Sequence, residues 1–368
     1  MLDSLLPEQP LIVLCLAGFL LALIFALVLV PWVRRQAMAA GYFDAPDERK
    51  IHKYPIPRLG GLAIWSSFML ALWSLSLLSD KPLPMGSPMT GILAGGTIMF
   101  ILGLLDDLMG LSPYFKLGIQ VLAAVVAYFF GVAVMTLDLP GSKLLLLNFF
   151  ALPVTLLWIV GLSNAMNFID GMDGLAAGIT TISALTLVVI AFFTMRPSEA
   201  LMASILVGST LGFLAYNYHP AKIFMGDSGS LFCGFMLATI AVTGVLKSKI
   251  VVMLLPLFIL SVPILDITFA VTRRLIQGKN PFLPDAEHIH HKLLKAGIPQ
   301  GRAVRYFYTL CVFGGFLATW YIKTPGIYLA CIAGLTVIAA SLIAATRYFY
   351  RGVTNPLPAG GSGDAGAS

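Results

Sequence analysis

The feature that most constrains this fold is a series of apolar runs long enough to cross a membrane. Of the 368 residues, 58% are hydrophobic and only 11% are charged, whereas soluble domains carry roughly a quarter of charged residues. A helix that crosses about 30 Å of hydrocarbon needs about 20 apolar residues. We therefore predict an all-α, polytopic integral membrane protein with about 11 transmembrane helices. The runs lie at about 11–33, 60–79, 89–105, 117–136, 145–162, 175–194, 199–216, 229–246, 250–270, 304–322 and 326–346.

The distribution of basic residues predicts the orientation of the chain. The first run is preceded by the acidic Asp3 and Glu8 rather than by a basic segment, lacks a small-residue cleavage signature and is followed by Arg34 and Arg35, so we interpret it as a retained span. With eleven crossings, 17 of the 23 Lys and Arg residues fall on one side. The positive-inside rule makes that side cytoplasmic, with the N-terminus outside and the C-terminus cytoplasmic. This asymmetry explains the net charge of +6, so no nucleic-acid partner is expected.

We predict one transmembrane domain over residues 1–352. The tail 353–368 is rich in Gly, Ala and Ser and is predicted to be disordered. The four Cys all lie inside apolar runs, at no spacing typical of a metal site or a disulfide framework. We interpret them as small buried hydrophobic residues.

Polar residues collect in the predicted cytoplasmic loops. Asp106 and Asp107 follow one apolar run, NAMNFIDGMDG (164–174) follows a second, and NYHPAKIFMGDSGS (217–230) follows a third. A carboxylate at the membrane edge is costly unless it is paired, hydrated or bound to a metal, so each is a functional candidate. Hydrated helix ends would explain one isolated Asp better than they explain several in three loops.

The second of these loops contains a regular polar row. Its four members are three residues apart, so in a helix each neighbours the next and the row lines one cavity. Nearby glycines let another backbone or a ligand approach closely. An interhelical turn with Asn and Asp caps would explain one or two of these residues, but not four in register. The row consists of Asn164, Asn167, Asp170 and Asp173.

The segment GDSGS before the next apolar run is typical of a helix start. Asp227 or Ser228 would be the N-cap, and the exposed amides of the first turn would suit phosphate. Asp and Asn are hard oxygen ligands, and Mg²⁺ sites that handle phosphates use one or two carboxylates. We predict Mg²⁺, with Mn²⁺ as a substitute, rather than zinc, because the His cluster at 288–291 has no Cys or HExxH partner. That cluster would bind a diphosphate or lie at the lipid headgroups.

Four motifs in this order resemble one enzyme family. LDDLMGLSPYFKLGIQ, NAMNFIDGMDGLAAG, YNYHPAKIFMGDSGS and HIHHKLLKAG are similar to those of the polyprenyl-phosphate N-acetylhexosamine-1-phosphate transferases, in glycosyltransferase family 4. The resemblance implies transfer of HexNAc-1-phosphate from a UDP-HexNAc to undecaprenyl (polyprenyl) phosphate, with release of UMP. The short HIHH form is similar to the GlcNAc-1-phosphate branch, which initiates O-antigen, common-antigen or teichoic-acid synthesis.

The resemblance also implies residue roles. Asp227 matches the magnesium-binding Asp, joined by Asn167, while Asp106 and Asp107 match a pair proposed either to deprotonate the lipid phosphate or to organise the metal site. Because a phosphomonoester is already mostly dianionic at pH 7, we favour positioning for this pair, with base catalysis as the alternative. The candidate catalytic residues are Asp106, Asp107, Lys116, Asp170, His288, His290 and His291. The candidate substrate-binding residues are Lys53, Asn164, Gly171, Met172, Asp173, Asn217 and Phe224.

Two other functions stay open. The first is the related transfer of phospho-MurNAc-pentapeptide in peptidoglycan synthesis, although that branch usually carries three adjacent His and a TPTMGG-like first loop, where this chain has HIHH and IPRLGG. The second is an ion-coupled secondary transporter, whose site would lie near the bilayer midplane. The resemblance further implies a multi-pass protein of the bacterial inner membrane, with its active site facing the cytoplasm, and a homodimer.

Overall fold

The structure is a computed structural model that describes residues 9–44, 55–78, 83, 86–137, 145–244, 299–321 and 323–350. Within these residues the chain is a bundle of α-helices with two short hairpins. The helices are α1 (Gln9–Ala39), α2 (Gly60–Leu78), α3 (Ser87–Met109), α4 (Pro113–Phe129), α5 (Ala151–Ile169), α6 (Leu175–Phe193), α7 (Pro197–Asn217), α8 (Gly226–Gly244), α9 (Gln300–Tyr321) and α10 (Pro325–Tyr350).

Eight helices in the described ranges are long and apolar enough to cross a membrane, namely α1, α2, α3, α5, α6, α7, α8 and α10. The all-α, polytopic membrane fold is therefore confirmed. Two further predicted spans correspond to α4, a shorter apolar helix, and to α9, which is less apolar. The predicted run at 250–270 lies outside the described residues.

The core of the bundle lies around α6, α7 and α8. The most apolar windows of α7 and α8 are both 89% buried, whereas that of α10 is only 6% buried. An apolar helix that other helices surround, such as α7 or α8, belongs in the interior of the bundle. An apolar helix that contacts little protein, such as α10, faces lipid. The buried core is therefore formed by the same helices that the polar loops at 164–174 and 217–230 connect.

Small residues allow the backbones of the inner helices to approach closely. A Cβ on Gly208 of α7 would lie 2.2 Å from the carbonyl oxygen of Phe19 in α1, and one on Gly234 of α8 would lie 2.7 Å from the Cα of Ser163 in α5. Such contacts between small residues are the main source of close packing between membrane helices. They fix the lateral positions of α5, α7 and α8.

A short hairpin anchors the loop between α7 and α8. Strands β1 (Phe43–Asp44) and β2 (Ile56–Pro57) pair antiparallel, and Arg58 forms an ion pair with Asp44. The amide of Phe224 donates to the carbonyl oxygen of Pro57 at 2.8 Å. The chain that leads into α8 is thus held from the side by the segment that leads into α2. A second hairpin joins β3 (Thr136–Leu137) and β4 (Leu145–Leu146), and a 3₁₀ turn, Asn148–Phe150, precedes α5.

Candidate active site

The candidate polar residues lie on helix ends rather than in free loops. Because α3 runs on to Met109, Asp106 and Asp107 belong to its last turn, and Asp227 lies in the first turn of α8. The predicted polar row is not one continuous helix, because α5 ends at Ile169. Gly174, with φ of 77°, supports the turn that follows. The row therefore divides into two amides on α5 and two carboxylates in the turn.

Lys116 joins the carboxylates of two helices. Its Nζ lies 2.6 Å from Oδ2 of Asp106 and 3.1 Å from Oδ2 of Asp227. The side chains are 24%, 10% and 29% exposed respectively, so these charges are largely removed from water. The other oxygen of Asp106 accepts from the amide of Leu111 at 2.7 Å. Removing one partner of such a group leaves a poorly solvated charge, so the three side chains depend on one another.

Asp107 caps the N-terminus of α8. Its Oδ1 accepts from the amide of Asp227 at 2.8 Å, and its Oδ2 accepts from the amide and hydroxyl of Ser228 at 3.0 and 2.7 Å. The prediction that Asp227 or Ser228 would be the N-cap is wrong, because a carboxylate from another helix binds these donors. The two amides bound by Asp107 are consequently not open to a phosphate.

Glycine is required at the start of α8. Gly226 has φ of 74°, and a Cβ there would lie 2.4 Å from the carbonyl oxygen of Arg58 and 2.6 Å from Oδ2 of Asp107. A Cβ on Gly103 of α3 would lie 2.4 Å from the carbonyl of Asp227. Helix α8 can therefore reach Asp107 only because both positions lack a side chain.

Asp170 lies beside the same helix end and accepts a backbone hydrogen bond from Gly226. Burial, together with the negative charges of Asp227 and Asp107, raises the pKa of the Asp170 carboxyl well above its usual value. Across the described residues, Lys116 is the cation bound among these carboxylates. The excess of negative charge at the site thus favours binding of a further cation.

The two amides of α5 have different partners. Asn167 donates to the hydroxyl of Ser230 at 2.9 Å, and that hydroxyl donates to the carbonyl oxygen of Gly226 at 3.0 Å. Asn164 forms a reciprocal amide pair with Gln120 of α4, at 2.6 and 3.2 Å. Gln120 was not predicted from the sequence, although it is a polar residue in an apolar run, four residues after Lys116 and so on the same helix face.

A second group of contacts ties the turn after α5 to the loop after α7. Asp173 Oδ2 lies 2.8 Å from Nδ1 of His219 and accepts from the amide of Ala221 at 3.1 Å. Asn217 is only 2% exposed; its oxygen accepts from Gly174 at 3.0 Å and its nitrogen donates to Ile223 at 2.8 Å. Both ends of the Asn217 amide are thus used in joining the loops. His219 was missed, since a single His in NYHPAK carries no motif of its own.

Tyr308 of α9 also contacts this turn. Its hydroxyl donates to the carbonyl oxygen of Gly174, and its ring occupies the space that a Cβ on Gly178 would need. The beginning of α9 therefore lies at the same end of the bundle as the carboxylates. The role of Tyr308 was not predicted from the sequence, because its hydrogen-bond partner is a backbone group.

The remaining candidates are less closely grouped. Met172 is 4% exposed and belongs to the hydrophobic core, Gly171 is exposed, and Phe224 is half-buried. Lys53, His288, His290 and His291 lie outside the described residues.

The oxygen atoms of Asp227 and Asn167 could provide part of a metal site. Among the residues that the structure describes, no group of three His, Cys, Asp or Glu side chains is arranged to hold one. Mg²⁺ commonly binds through one or two carboxylates and takes its other ligands from water and substrate phosphates. Asp227 and the adjacent Asn167 fit such a partial set, and their hard oxygens suit Mg²⁺.

Comparisons with known proteins agree on one family. The sequence profile described as "Glycosyl transferase family 4" matches residues 89–245. The chain is 37% identical over 295 residues, 80% of this chain and 81% of the relative, to the "Probable undecaprenyl-phosphate N-acetylglucosaminyl 1-phosphate transferase" of Bacillus subtilis (strain 168). It is 35% identical to the "Decaprenyl-phosphate N-acetylglucosaminephosphotransferase" of Mycolicibacterium smegmatis, covering 93% of this chain and 90% of that one.

A relative with a different printed substrate also matches. The chain is 30% identical, over 85% of its own length and 98% of the relative's, to the "Phospho-N-acetylmuramoyl-pentapeptide-transferase" of Halalkalibacterium halodurans. The matched profile includes the carboxylates of α3, the amides of α5 and the start of α8, and so covers most of the described site.

Proposed function

The chain belongs to glycosyl transferase family 4, and on that basis we propose that it transfers N-acetylglucosamine 1-phosphate from UDP-GlcNAc to a polyprenyl phosphate and releases UMP. The membership confirms the resemblance that the four motifs carry. The relatives named for N-acetylglucosamine phosphate transfer to undecaprenyl or decaprenyl phosphate support this substrate pair. Their identities of 37% and 35% exceed the 30% of the pentapeptide-transferring relative.

The observation that carries the proposal is the position of Lys116 between Asp106 and Asp227. An oxygen of the polyprenyl phosphate attacks the phosphorus that bears the sugar, and the bond from that phosphorus to UMP breaks. One phosphoanhydride replaces another, so the step is nearly thermoneutral. The main obstacle is the approach of two anions, which a fixed ammonium group eases by neutralising charge where it develops.

We further propose that Asp227 and Asn167 hold Mg²⁺, with Mn²⁺ as a substitute. Such an ion would supply charge neutralisation on the transferring phosphoryl group. Burial, together with the negative charges of Asp227 and Asp107, raises the pKa of Asp170, and a bound cation would relieve the repulsion among these carboxylates. Asp106 holds Lys116 in place from the opposite side.

Asp107 is assigned a positioning role. Its two oxygens accept three hydrogen bonds from Asp227 and Ser228, which fix the first turn of α8 and with it the carboxylate of Asp227. A lipid phosphate is mostly dianionic at pH 7 and needs no base to become a nucleophile. The chemistry of the acceptor and the contacts of Asp107 thus favour positioning over proton transfer.

The proposed location is the bacterial inner membrane, with the site facing the cytoplasm. The loops predicted to be cytoplasmic from their Lys and Arg content include those that carry the polar residues of the site, which supports this orientation. A soluble nucleotide sugar would enter from the cytoplasm, while the lipid phosphate would arrive laterally at headgroup level. Initiation of a cell-envelope glycan and formation of a homodimer remain predictions from the family resemblance.

The test is UMP release by the purified, detergent-solubilised chain. Undecaprenyl phosphate is supplied with UDP-GlcNAc, UDP-GalNAc or UDP-MurNAc-pentapeptide, each in Mg²⁺ or in EDTA. We expect release that needs the lipid, Mg²⁺ and UDP-GlcNAc. Release with the pentapeptide substrate alone would support the other branch, and no release from folded protein would refute the transferase function.

A variant tests the metal proposal separately. Asp227→Asn keeps the shape of the side chain but removes its charge, so turnover should fall to nearly nothing. A variant with the wild-type rate and the wild-type dependence on Mg²⁺ would show that Asp227 does not hold the metal.

A further inference from the structure

The last turn of α10 is attached to the interior of the bundle, unlike the rest of that helix. The most apolar window of α10 is only 6% buried. Thr346, in contrast, is only 6% exposed, and its hydroxyl donates to the carbonyl oxygen of Ala215 in the last turn of α7 at 2.8 Å. A helix that mostly faces lipid is therefore docked at one end. The proposed transfer reaction gives this contact no role.

Arg347 holds the chain that follows α7. Its Nη2 donates to the carbonyl oxygen of His219 at 2.7 Å, and its guanidinium lies 5.7 Å from the ring centre of Tyr218. A cation within about 6 Å of an aromatic ring centre is attracted to the ring face. The Nζ of Lys222 donates in the other direction, to the carbonyl oxygen of Thr346 at 2.8 Å, which is a favourable position for a cation near a helix C-terminus. We call Thr346 and Arg347 the α10 clasp.

The chain held by the clasp also contacts the candidate active site. The Nδ1 of His219 lies 2.8 Å from Oδ2 of Asp173, and that oxygen accepts from the amide of Ala221 at 3.1 Å. The amide of Gly174 donates to the side-chain oxygen of Asn217 at 3.0 Å. His219 thus has its carbonyl oxygen bound by α10 and its ring bound by the turn after α5. This short segment therefore connects α10 to that turn.

The contacts of the clasp differ in their exposure to water. Thr346 is buried, whereas Arg347 is exposed, so water competes for the guanidinium. Tyr218 and His219 are each only partly buried. Segments with exposed hydrogen bonds and few buried contacts open locally more often than the core does. Loss of the clasp should therefore raise the frequency with which the segment opens and releases Asp173.

The carboxylates at the start of α8 are held by different contacts. Asp107 binds the amides of Asp227 and Ser228, and Lys116 links Asp106 to Asp227. These bonds join α3, α4 and α8 directly. A change at the clasp should therefore affect the turn after α5 more strongly than it affects Asp227.

We propose that Thr346 and Arg347 are positioning residues, which hold Asp173 and Asn217 in the arrangement that binds the nucleotide sugar. This role rests on the proposed transferase function, in which both residues are predicted to bind the substrate. Loss of an interaction that is equally strong in the bound substrate and in the transition state raises KM and leaves kcat unchanged. Loss of the clasp should therefore raise the KM for UDP-GlcNAc, and should leave kcat and the KM for polyprenyl phosphate near their wild-type values.

Steady-state UMP release by the full chain in detergent separates these quantities. Arg347→Gln should raise the KM for UDP-GlcNAc about three-fold to ten-fold, the range for net loss of one hydrogen bond. Thr346→Val removes the hydroxyl and should act in the same direction. Arg347→Lys keeps a charged donor and should recover part of the wild-type KM. A fall in kcat at constant KM for UDP-GlcNAc, or an equal rise of both KM values, would overturn the proposal.

Two matched controls distinguish the clasp from general effects. Thr336 lies on the same helix, is exposed, and donates to the carbonyl oxygen of Ile332 within that helix at 2.8 Å. Thr336→Val should therefore leave both KM values unchanged. Arg35 is exposed at the same end of the bundle, next to Arg34, whose Nε donates to the carbonyl oxygen of Lys222 at 3.1 Å. If Arg35→Gln raised the KM for UDP-GlcNAc as much as Arg347→Gln does, the effect would be one of general charge and the proposal would be wrong.

Hydrogen exchange of the substrate-free chain tests the link without turnover. Peptides that contain residues 170–174 and 215–222 should exchange about three-fold to ten-fold faster in Arg347→Gln and in Thr346→Val. The start of α8 should exchange at the wild-type rate. Unchanged exchange of 170–174 in both variants would overturn the proposal whether or not the chain releases UMP. Faster exchange in a chain whose wild type releases no UMP with any sugar nucleotide would instead refute the transferase function, and with it the positioning role.

Discussion

Replacement of Asp107 separates positioning from base catalysis. Asp107→Ala removes an ionised acceptor from two backbone amides and one hydroxyl at the start of α8. Loss of an N-cap costs about 0.5–2 kcal/mol, and hydrogen bonds to a charged group contribute about 1.5–3 kcal/mol each. Three such bonds sum to at least about 4.5 kcal/mol, but water reaches this half-buried site and replaces part of them, so we expect a loss of about 3 kcal/mol.

Asp107→Asn should lie between wild type and Asp107→Ala. The amide retains one acceptor oxygen, which can serve one or two of the three donors, so about half of the stabilisation should remain. For a chain of 368 residues, the apparent melting temperature in detergent should fall by about 4 °C for the alanine variant and by half of that for the asparagine variant. The matched pair thus distinguishes loss of hydrogen bonds from loss of charge.

Activity of the two variants completes the test. If Asp107 positions Asp227, the Mg²⁺ concentration needed for half-maximal UMP release should rise about 10-fold or more, as for other residues that orient metal ligands. Asp107→Asn should then recover part of its turnover at high Mg²⁺. A general base predicts the opposite: Asp107→Asn would keep the wild-type melting temperature and Mg²⁺ dependence, and would lose about 10²–10⁴ of its rate at every Mg²⁺ concentration. That result would refute the positioning argument.

Three further substitutions probe other parts of the site. Gly226→Ala forces a Cβ against Asp107 and the backbone at φ of 74°, so it should lower the melting temperature and abolish UMP release; wild-type values for both would contradict the close approach. Asn217→Ala leaves two buried backbone groups without their partner, which should lower the free energy of unfolding by about 2–4 kcal/mol. An unchanged melting temperature together with a raised KM for UDP-GlcNAc would instead assign Asn217 to substrate binding. Lys222→Met tests the lowered pKa of Lys222, about 8. Between pH 8 and about 10.4 the unfolded state binds more protons at this position than the folded state does, so the stability of the wild type should rise with pH relative to that of the variant. A constant difference in stability across pH 7–11 would be evidence against the lowered pKa.

The sequence predicted the membrane fold well because long apolar runs are a strong indication of transmembrane helices. Segments such as 175–194 and 199–216 nearly coincide with α6 and α7, since a helix in lipid must satisfy all its backbone groups internally. Helix ends were less predictable. The prediction placed Asp106 and Asp107 after a span, yet α3 continues through both, because helix-forming residues extend beyond the apolar run.

The contacts of the site were predictable only in part. Composition and spacing indicated that the carboxylates lie at one membrane face, but not which ones pair with each other. The capping of α8 by Asp107 depends on Gly103 and Gly226, whose importance appears only when two distant helices are packed together. The pairing of Gln120 with Asn164 likewise joins different helices, and no local pattern in one sequence identifies such a pair.

The contact between Asp107 and α8 has a consequence for the biosynthesis of the protein. The two hydrogen-bonded residues, Asp107 and Asp227, are 120 positions apart. A ribosome must therefore deliver five further helices to the bilayer after α3 before the carboxylate of Asp107 meets its donors. A partly inserted chain already contains Asp106, Asp107 and Lys116 near the membrane surface, but the position of Asp227 is not yet fixed. Phosphotransfer activity can thus begin only after α8 has docked, which ties the onset of catalysis to a late stage of assembly.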